Sequence, residues 1–286
     1  MQEYSVCLDA IRDCLKHKRF TVASLYKEQK TLDMHIHDCY ELYYAISGGN
    51  QFFIADQWYE ICRGDLFAIN HNETHHVFEK TGIPHERYVI SIHPDFLSAL
   101  STGKTDLSKC FQRESKPFCH KVSLDKEDQK QFLYLLHKIS AAEGYGADVI
   151  ENVAFSELLV LTNRLFLNQK EESRENKLHS YHPLVSDMIQ YINENITAPL
   201  TVSKIAEHFF LSESYVCRIF KQCTGTTVNK YLTGRRISIA KTLLAGGSSV
   251  LSACEQSGFN DYSNFIKTFT KSVGISPKRY SKFSNS

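Results

Sequence analysis

The last hundred residues of this 286-residue chain write one helical plan twice, and that repeat restricts the fold more than any other feature. The segment 261–280, DYSNFIKTFTKSVGISPKRY, superposes on 212–231, SESYVCRIFKQCTGTTVNKY. Phe265 falls on Val216, Lys267 on Arg218, Phe269 on Phe220, Gly274 on Gly225 and Tyr280 on Tyr231. The short helices before them also repeat, with Val250 over Val202 and Cys254 over Ala206; the extra residue falls in the turn Gly258-Phe259-Asn260. In the first copy Thr201 can cap a short amphipathic helix and Ser212 a second one, with a three-residue break between them. This is helix-turn-helix geometry, in which the second helix lays its outward residues in the major groove. VNKYLTGRRISIAKTLLAG reads as one helix connecting the two units. Two recognition helices on a rigid connector can enter successive groove segments about 34 Å apart, so one chain would read an extended, asymmetric site.

Charge agrees with that reading. The net charge is +1, but residues 181–286 hold twelve Lys/Arg against six Asp/Glu, which leaves the first 180 residues acidic. The basic half is the candidate polyanion binder. The outward residues expected to reach DNA are Ser214, Cys217, Arg218 and Lys221 in the first unit and Tyr262, Ser263, Asn264, Ile266, Lys267 and Lys271 in the second. Arg218 suits a guanine edge and Asn264 an adenine edge. Lys221, Lys241, Lys271, Lys278 and Arg279 suit phosphates, which give affinity without sequence preference.

The N-terminal half has another period. From about Thr21 to Val89 short runs such as YELYYAI, QFFIA, DLFAI and RYVISI are punctuated by SGGN, ADQ and CRGD, the spacing of a strand-rich sandwich or barrel. Near Leu124 the spacing turns helical, with Phe132, Leu136 and Ile139, then Val149, Val153 and Leu161, in two helices joined at Gly144-Tyr145-Gly146. Such a pair either packs internally or offers a stripe to a second protomer. KEESRENKLHS has the composition of an exposed linker. Residues 1–20 carry helical spacing at Val6, Cys7, Ala10, Ile11 and Cys14 and are expected to pack across the barrel. The nine cysteines are scattered and contain no C-x-x-C pair, which argues against a disulfide framework or a zinc ribbon. No apolar run approaches 18 residues and no signal peptide is apparent, so a cytoplasmic protein without membrane contact is expected.

His35, His37 and Glu41 form H-x-H-x-x-x-E, followed after six residues by Gly48, and Gly64 to Asn70 leads on to His75. Three imidazoles and a carboxylate at one barrel mouth suit a divalent transition metal. They also suit a receptor pocket with Tyr43, Phe53, Trp58 and Phe67 as aromatic walls, which would orient a small polar ligand. The pocket reading is adopted, with no metal, cofactor or catalytic residue expected; a metal-dependent enzyme or metal sensor fused to a DNA-binding unit is the alternative.

Two resemblances follow. Residues 183–282 resemble the DNA-binding domain of the AraC/XylS family, ending in GF-x-D-x-S-x-F-x-K-x-F-x-K-x-x-G-x-S-P-x-x-Y from Gly258 to Tyr280. The histidine segments resemble the paired motifs of the cupin β-barrel, although Asn70-His71-Asn72 replaces the usual Pro-x-Gly and Glu79 the usual trailing Asn. The resemblance implies an α+β chain of two domains: a cupin-like sensor (1–122) with a helical pair for dimerisation (123–170), a linker (171–182) and an all-α tandem helix-turn-helix domain (183–286). It implies a transcription regulator, by family an activator, not an enzyme, that binds double-stranded DNA as a homodimer. A small-molecule effector such as a sugar would control it, and RNA polymerase would be a partner.

Overall fold

The computed structural model describes residue 4 and residues 6–26, 34–55, 57–71, 73–79, 82–112, 119–169 and 183–284, so the expected linker 171–182 lies outside the described residues. The chain begins with α1 (Cys7–His17) and runs through β1 (Phe20–Leu25), β2 (Tyr40–Ala45), β3 (Gln51–Ile54), β4 (Gln57–Glu60), β5 (Asp65–Ile69), β6 (His75–Phe78) and β7 (Arg87–Ile92). After α2 (Pro94–Leu100) and a short 3-10 turn come β8 (Lys121–Ser123), α3 (Lys126–Ser140) and α4 (Ala147–Leu167). The strands form two antiparallel sheets, one in the order β1-β7-β2-β5-β8 and one in the order β4-β3-β6.

The run YELYYAI looks continuously apolar because both faces of its sheet are covered. Leu42 and Tyr44 pack on Phe132, Leu136, Phe155 and Leu158 of the helical pair, while Tyr43 and Ala45 join Phe52, Phe67 and Val89 between the sheets. Helix α1 adds Ala10, Ile11 and Cys14 to that inner core, as its spacing predicts. Val149 and Val153 lie on α4, as their spacing predicts, but are 59% and 56% exposed, and the stripe that α4 buries is Ala154, Phe155, Leu158, Leu159 and Phe166. Helix α4 is apolar on nearly every side, so its sequence leaves the phase of its buried stripe open.

Among the described residues seven helices follow: α5 (Pro183–Glu194), α6 (Val202–His208), α7 (Glu213–Thr224), α8 (Val228–Ala245), α9 (Val250–Gln256), α10 (Tyr262–Val273) and α11 (Pro277–Ser284). The repeat appears in their caps. Thr201 and Ser212 accept from Lys204 N and Tyr215 N at 3.3 Å, and Ser249 and Asp261 accept from Ser252 N and Asn264 N at 3.1 and 2.5 Å. Gly225 and Gly274 end α7 and α10 with φ of 68° and 84°, a conformation in which a Cβ is strained.

Each unit has its own core, and α8 joins them. Val228, Tyr231 and Leu232 pack with Val216 and Phe220, whereas Ile237, Ala240 and Leu244 pack with Phe265 and Phe269. At 18 residues α8 is about 27 Å long, which holds the two units apart as one body.

Two substitutions test this organisation by urea unfolding. Phe265→Ala, which empties a fully buried site, is expected to cost about 3–5 kcal/mol. Ser212→Ala, which removes one cap, is expected to cost about 1 kcal/mol.

Candidate ligand pocket and nucleic-acid interface

Local pairing builds the histidine cluster. His35 and His75 exchange backbone hydrogen bonds of 3.2 and 3.1 Å in an isolated antiparallel bridge, which sets their rings 4.2 Å apart. His37 is two residues on, and Glu41 rises from β2 between them: its Oε2 is 3.1 Å from His37 Nε2 and 3.8 Å from His75 Nε2. Backbone carbonyls orient both rings. His37 Nδ1–H donates to the Cys39 carbonyl and His75 Nδ1–H to the Glu73 carbonyl, both at 3.0 Å, so both Nε2 atoms face the carboxylate.

The cluster is buried, and burial acts first on every charge in it. Desolvation disfavours a charged His37, but Cys39 and the Glu41 carboxylate outweigh it and hold the imidazole well above its usual range. Burial followed by His35 pushes His75 down to about 3, so this ring is neutral. Burial would raise Glu41, yet His75, His37 and Arg87 together keep it below the usual carboxylate range.

Beside the cluster lies a small cavity of about 40 Å³ that opens to solvent, lined by His35, Glu41, Tyr43, Phe52, His75 and Arg87 among others. Burial and then Arg87 lower His85 to about 4, so its Nδ1–H donates to Glu79 at 2.6 Å and its Nε2 accepts from Tyr43 Oη–H at 2.8 Å. The structure thus brings together His35, His37, Glu41, Tyr43 and His75 of the expected set. Phe67 sits in the core behind Tyr43 and Phe52, at ring distances of 5.7 and 5.1 Å. Phe52, His85 and Arg87 are pocket residues that the sequence reading missed. An arginine at the head of the apolar strand RYVISI was the available signal, since a buried cation needs a polar reason.

Phe53 and Trp58 do not line the pocket. They leave the β4-β3-β6 sheet on its other face and enter the core of the first helix-turn-helix unit, beside Met188, Ile192 and Tyr231. Alternation is the cause: Phe52 and Tyr59 point inward, so Phe53 and Trp58 point outward. Phe78 packs on Trp58 at 4.8 Å from the same face. Tyr231 Oη–H donates to the Ala55 carbonyl at 3.2 Å, which ties α8 to the end of β3. Lys241 is a second correction, since it does not face DNA. It is 2% exposed and pairs with Asp38, next to His37.

In the recognition helices, Ser214, Cys217, Arg218 and Lys221 on α7 and Tyr262, Ser263, Asn264, Lys267 and Lys271 on α10 are exposed on the side away from each core. Arg218 lies 5.4 Å over the Tyr215 ring, which limits its rotamers. Ile266 departs from expectation: it is half-buried against the second core.

A family profile described as AraC-like ligand binding domain matches residues 19–159, and one described as helix-turn-helix domain matches 205–282. The melibiose operon regulatory protein of Escherichia coli K12 is 32% identical over 145 residues, 47% of this chain and 48% of that protein, so the match spans about half of that relative's length. The HTH-type transcriptional activator RhaR of Shigella dysenteriae is 24% identical over 260 residues, 91% of this chain and 90% of its own. Among solved structures, ToxT from Vibrio cholerae O395 aligns over 94% of this chain and 99% of its own, at 14% identity and a TM-score of 0.37. The C-terminal domain of the two-component response regulator yesN from Fusobacterium nucleatum aligns over 33% of this chain and 93% of its own, at 33% identity and a TM-score of 0.32.

The Lys241–Asp38 pair provides a test of the contact between the domains. Asp38→Asn leaves a buried ammonium short of its carboxylate and is expected to lower stability by about 1–3 kcal/mol in urea unfolding. Combined with Lys241→Met, the loss should fall well short of the sum of the two single losses, because they share one interaction.

Proposed function

Since the chain belongs to the AraC family of transcription regulators, we propose that it is an activator that reads an extended promoter site with α7 and α10 and is controlled by a small molecule in the N-terminal pocket. One observation carries this reading. Strands β3 and β6 present Phe52, His75 and Val77 to the pocket and, on the opposite face, Phe53 and Phe78 to the first helix-turn-helix unit. A ligand that binds one arrangement of this sheet more tightly than another would shift the population of DNA-binding geometries by that difference in affinity.

The pocket chemistry supports a polyhydroxylated effector such as a sugar. Glu41 can accept from hydroxyls, Arg87 can donate to them, and the Tyr43 and Phe52 rings can cover the apolar face of a pyranose. For DNA, exposed Arg218 and Asn264 are assigned to base edges, while Lys221 and Lys271 are assigned to phosphates. Ser214, Cys217, Tyr262, Ser263 and Lys267 would complete the contact surface, with Ile266 supporting it from below.

Dimerisation is assigned to the helical pair, where Leu133, Tyr134, Val149, Ile150 and Val153 are exposed on α3 and α4. Among the described residues no helix is long and apolar enough to cross a membrane. Action in the cytoplasm, with RNA polymerase as the partner of the DNA-bound protein, completes the proposal.

Mobility shift on selected promoter fragments tests the DNA assignment. Arg218→Ala and Asn264→Ala should each weaken cognate DNA by about 1–3 kcal/mol and relax sequence preference, whereas Lys271→Ala should weaken every sequence alike and reduce the salt slope by about one. Failure of the native chain to bind any promoter fragment at low salt would end this reading. Thermal melts over a panel of monosaccharides and disaccharides test the effector, which at a hundredfold excess over Kd should add about 2.7 kcal/mol of stability. Val149→Asp combined with Val153→Asp should convert the dimer into a monomer by light scattering.

A further inference from the structure

Three residues line the cavity with atoms that accept hydrogen bonds and have no proton to give. Glu41 is an ionised carboxylate beside His37 and Arg87. His75 is neutral and places its one proton on the Glu73 carbonyl, 3.0 Å from Nδ1. Its buried Nε2 therefore holds a lone pair, and this atom has no hydrogen-bond partner among the described residues. Tyr43 is fixed by a relay. The Glu79 carboxylate accepts the Nδ1–H of His85 at 2.6 Å, which leaves Nε2 to accept the Tyr43 Oη–H at 2.8 Å. A neutral imidazole has one proton, so the bond at one nitrogen decides the role of the other. With its proton committed to His85, Tyr43 Oη can only accept from the cavity.

A buried acceptor without a donor carries a desolvation cost that a ligand donor removes. Glu41 Oε2 and His75 Nε2 stand 3.8 Å apart. One hydroxyl has one proton and cannot serve both, so these atoms call for adjacent hydroxyls, and Tyr43 for a further one. Charge narrows the class. The cavity wall carries Glu41 and Arg87, and the His37 imidazole beside Glu41 is cationic. Two cations against one carboxylate disfavour an ammonium group, and an anion would face Glu41 and two lone pairs. Uncharged hydroxyls donate to all three acceptors and can accept from Arg87 in return. Size narrows it again: about 40 Å³ has room for about three water-sized groups, so the cavity takes one end of a sugar and leaves the remainder at its opening.

We propose that the cavity selects the hydroxyl-bearing end of an uncharged polyol, whose adjacent hydroxyls donate to Glu41, His75 and Tyr43, and that Glu79 and His85 are positioning residues that keep Tyr43 an acceptor. This rests on the reading of the pocket as a sugar receptor and names the feature of the sugar that is recognised. Glu79 is not among the lining residues, so it acts through His85 alone.

The test uses the full chain with isotope-labelled histidine. In magnetic resonance spectra at neutral pH, His75 and His85 should both appear as neutral rings protonated on Nδ1. A proton on Nε2 of either would overturn the proposal and leave the sugar reading standing. Thermal melts then compare glucose, galactose and mannose with their uronates and amino derivatives. At least one uncharged sugar should raise the melting temperature, and its charged counterparts should bind about tenfold more weakly or worse. A uronate or amino sugar that binds as tightly as its parent would overturn the selection of hydroxyls. Silence of every sugar would overturn the sugar reading together with it. Glu79→Leu removes the acceptor that holds the His85 proton on Nδ1, so Nε2 can take that proton and donate to Tyr43. The variant should show that move and bind the responding sugar about tenfold more weakly, whereas Glu79→Gln, which keeps an acceptor oxygen, should restore most of the affinity. Unchanged affinity in Glu79→Leu protein whose His85 proton has moved would overturn the positioning role.

Discussion

Successive side chains leave the β4-β3-β6 sheet on opposite faces, and in this molecule both faces are occupied. One carries Phe52, His75 and Val77 to the pocket, and the other carries Phe53, Trp58 and Phe78 into the core of the first helix-turn-helix unit. The sheet is a single layer, so a shift of β6 that moves His75 also moves His76 and Phe78 on its far side. Contacts of Tyr231 with Ala55 and of Lys241 with Asp38 flank this layer, and both come from α8, the helix on which the two DNA-reading units are mounted. The pocket is therefore separated from the DNA-reading half by one strand thickness.

Burying charge in that neighbourhood is costly, and the structure offsets the cost by concentrating opposite charges. Glu41 lies against His37 and Arg87; Lys121 lies 3.0 Å from Asp65; Lys241 meets Asp38. Breaking one partner of such a set leaves the other stranded, so these groups fix a particular arrangement more than they add stability. The two apolar cores of the C-terminal half behave differently: Phe265 sits in a small, self-contained cluster, whereas the cluster around Phe220 takes in Phe53 and Trp58 from the N-terminal sheet.

Much of the C-terminal half was legible because helices are local. Caps three residues ahead of the amides they satisfy, apolar positions at a period of 3.6 and a glycine after the last turn are all short-range features, and the chain states each of them twice. Part of the pocket was legible for the same reason, since His35 and His37 share a face at a spacing of two and Glu41 is close behind. Phe53 and Trp58 were assigned to the wrong face because an aromatic pair such as Phe52-Phe53 does not say which ring points inward when both sides of the strand are buried. Lys241 read as a phosphate contact because a lysine in a basic domain is ordinarily solvated, and its partner lies about two hundred residues away in the sequence.

The sequence by itself determined the tandem helical plan, the charge asymmetry and the residue types of the histidine set, all of which depend on spacing within a few turns or strands. Tertiary structure alone decided the pairing of His35 with His75, the neutral state of His75, the recruitment of His85 and Arg87 and the docking of β3 on α8. Those outcomes depend on strand register and on desolvation, and both are set by what lies across the sheet and across the domain boundary rather than by neighbours along the chain.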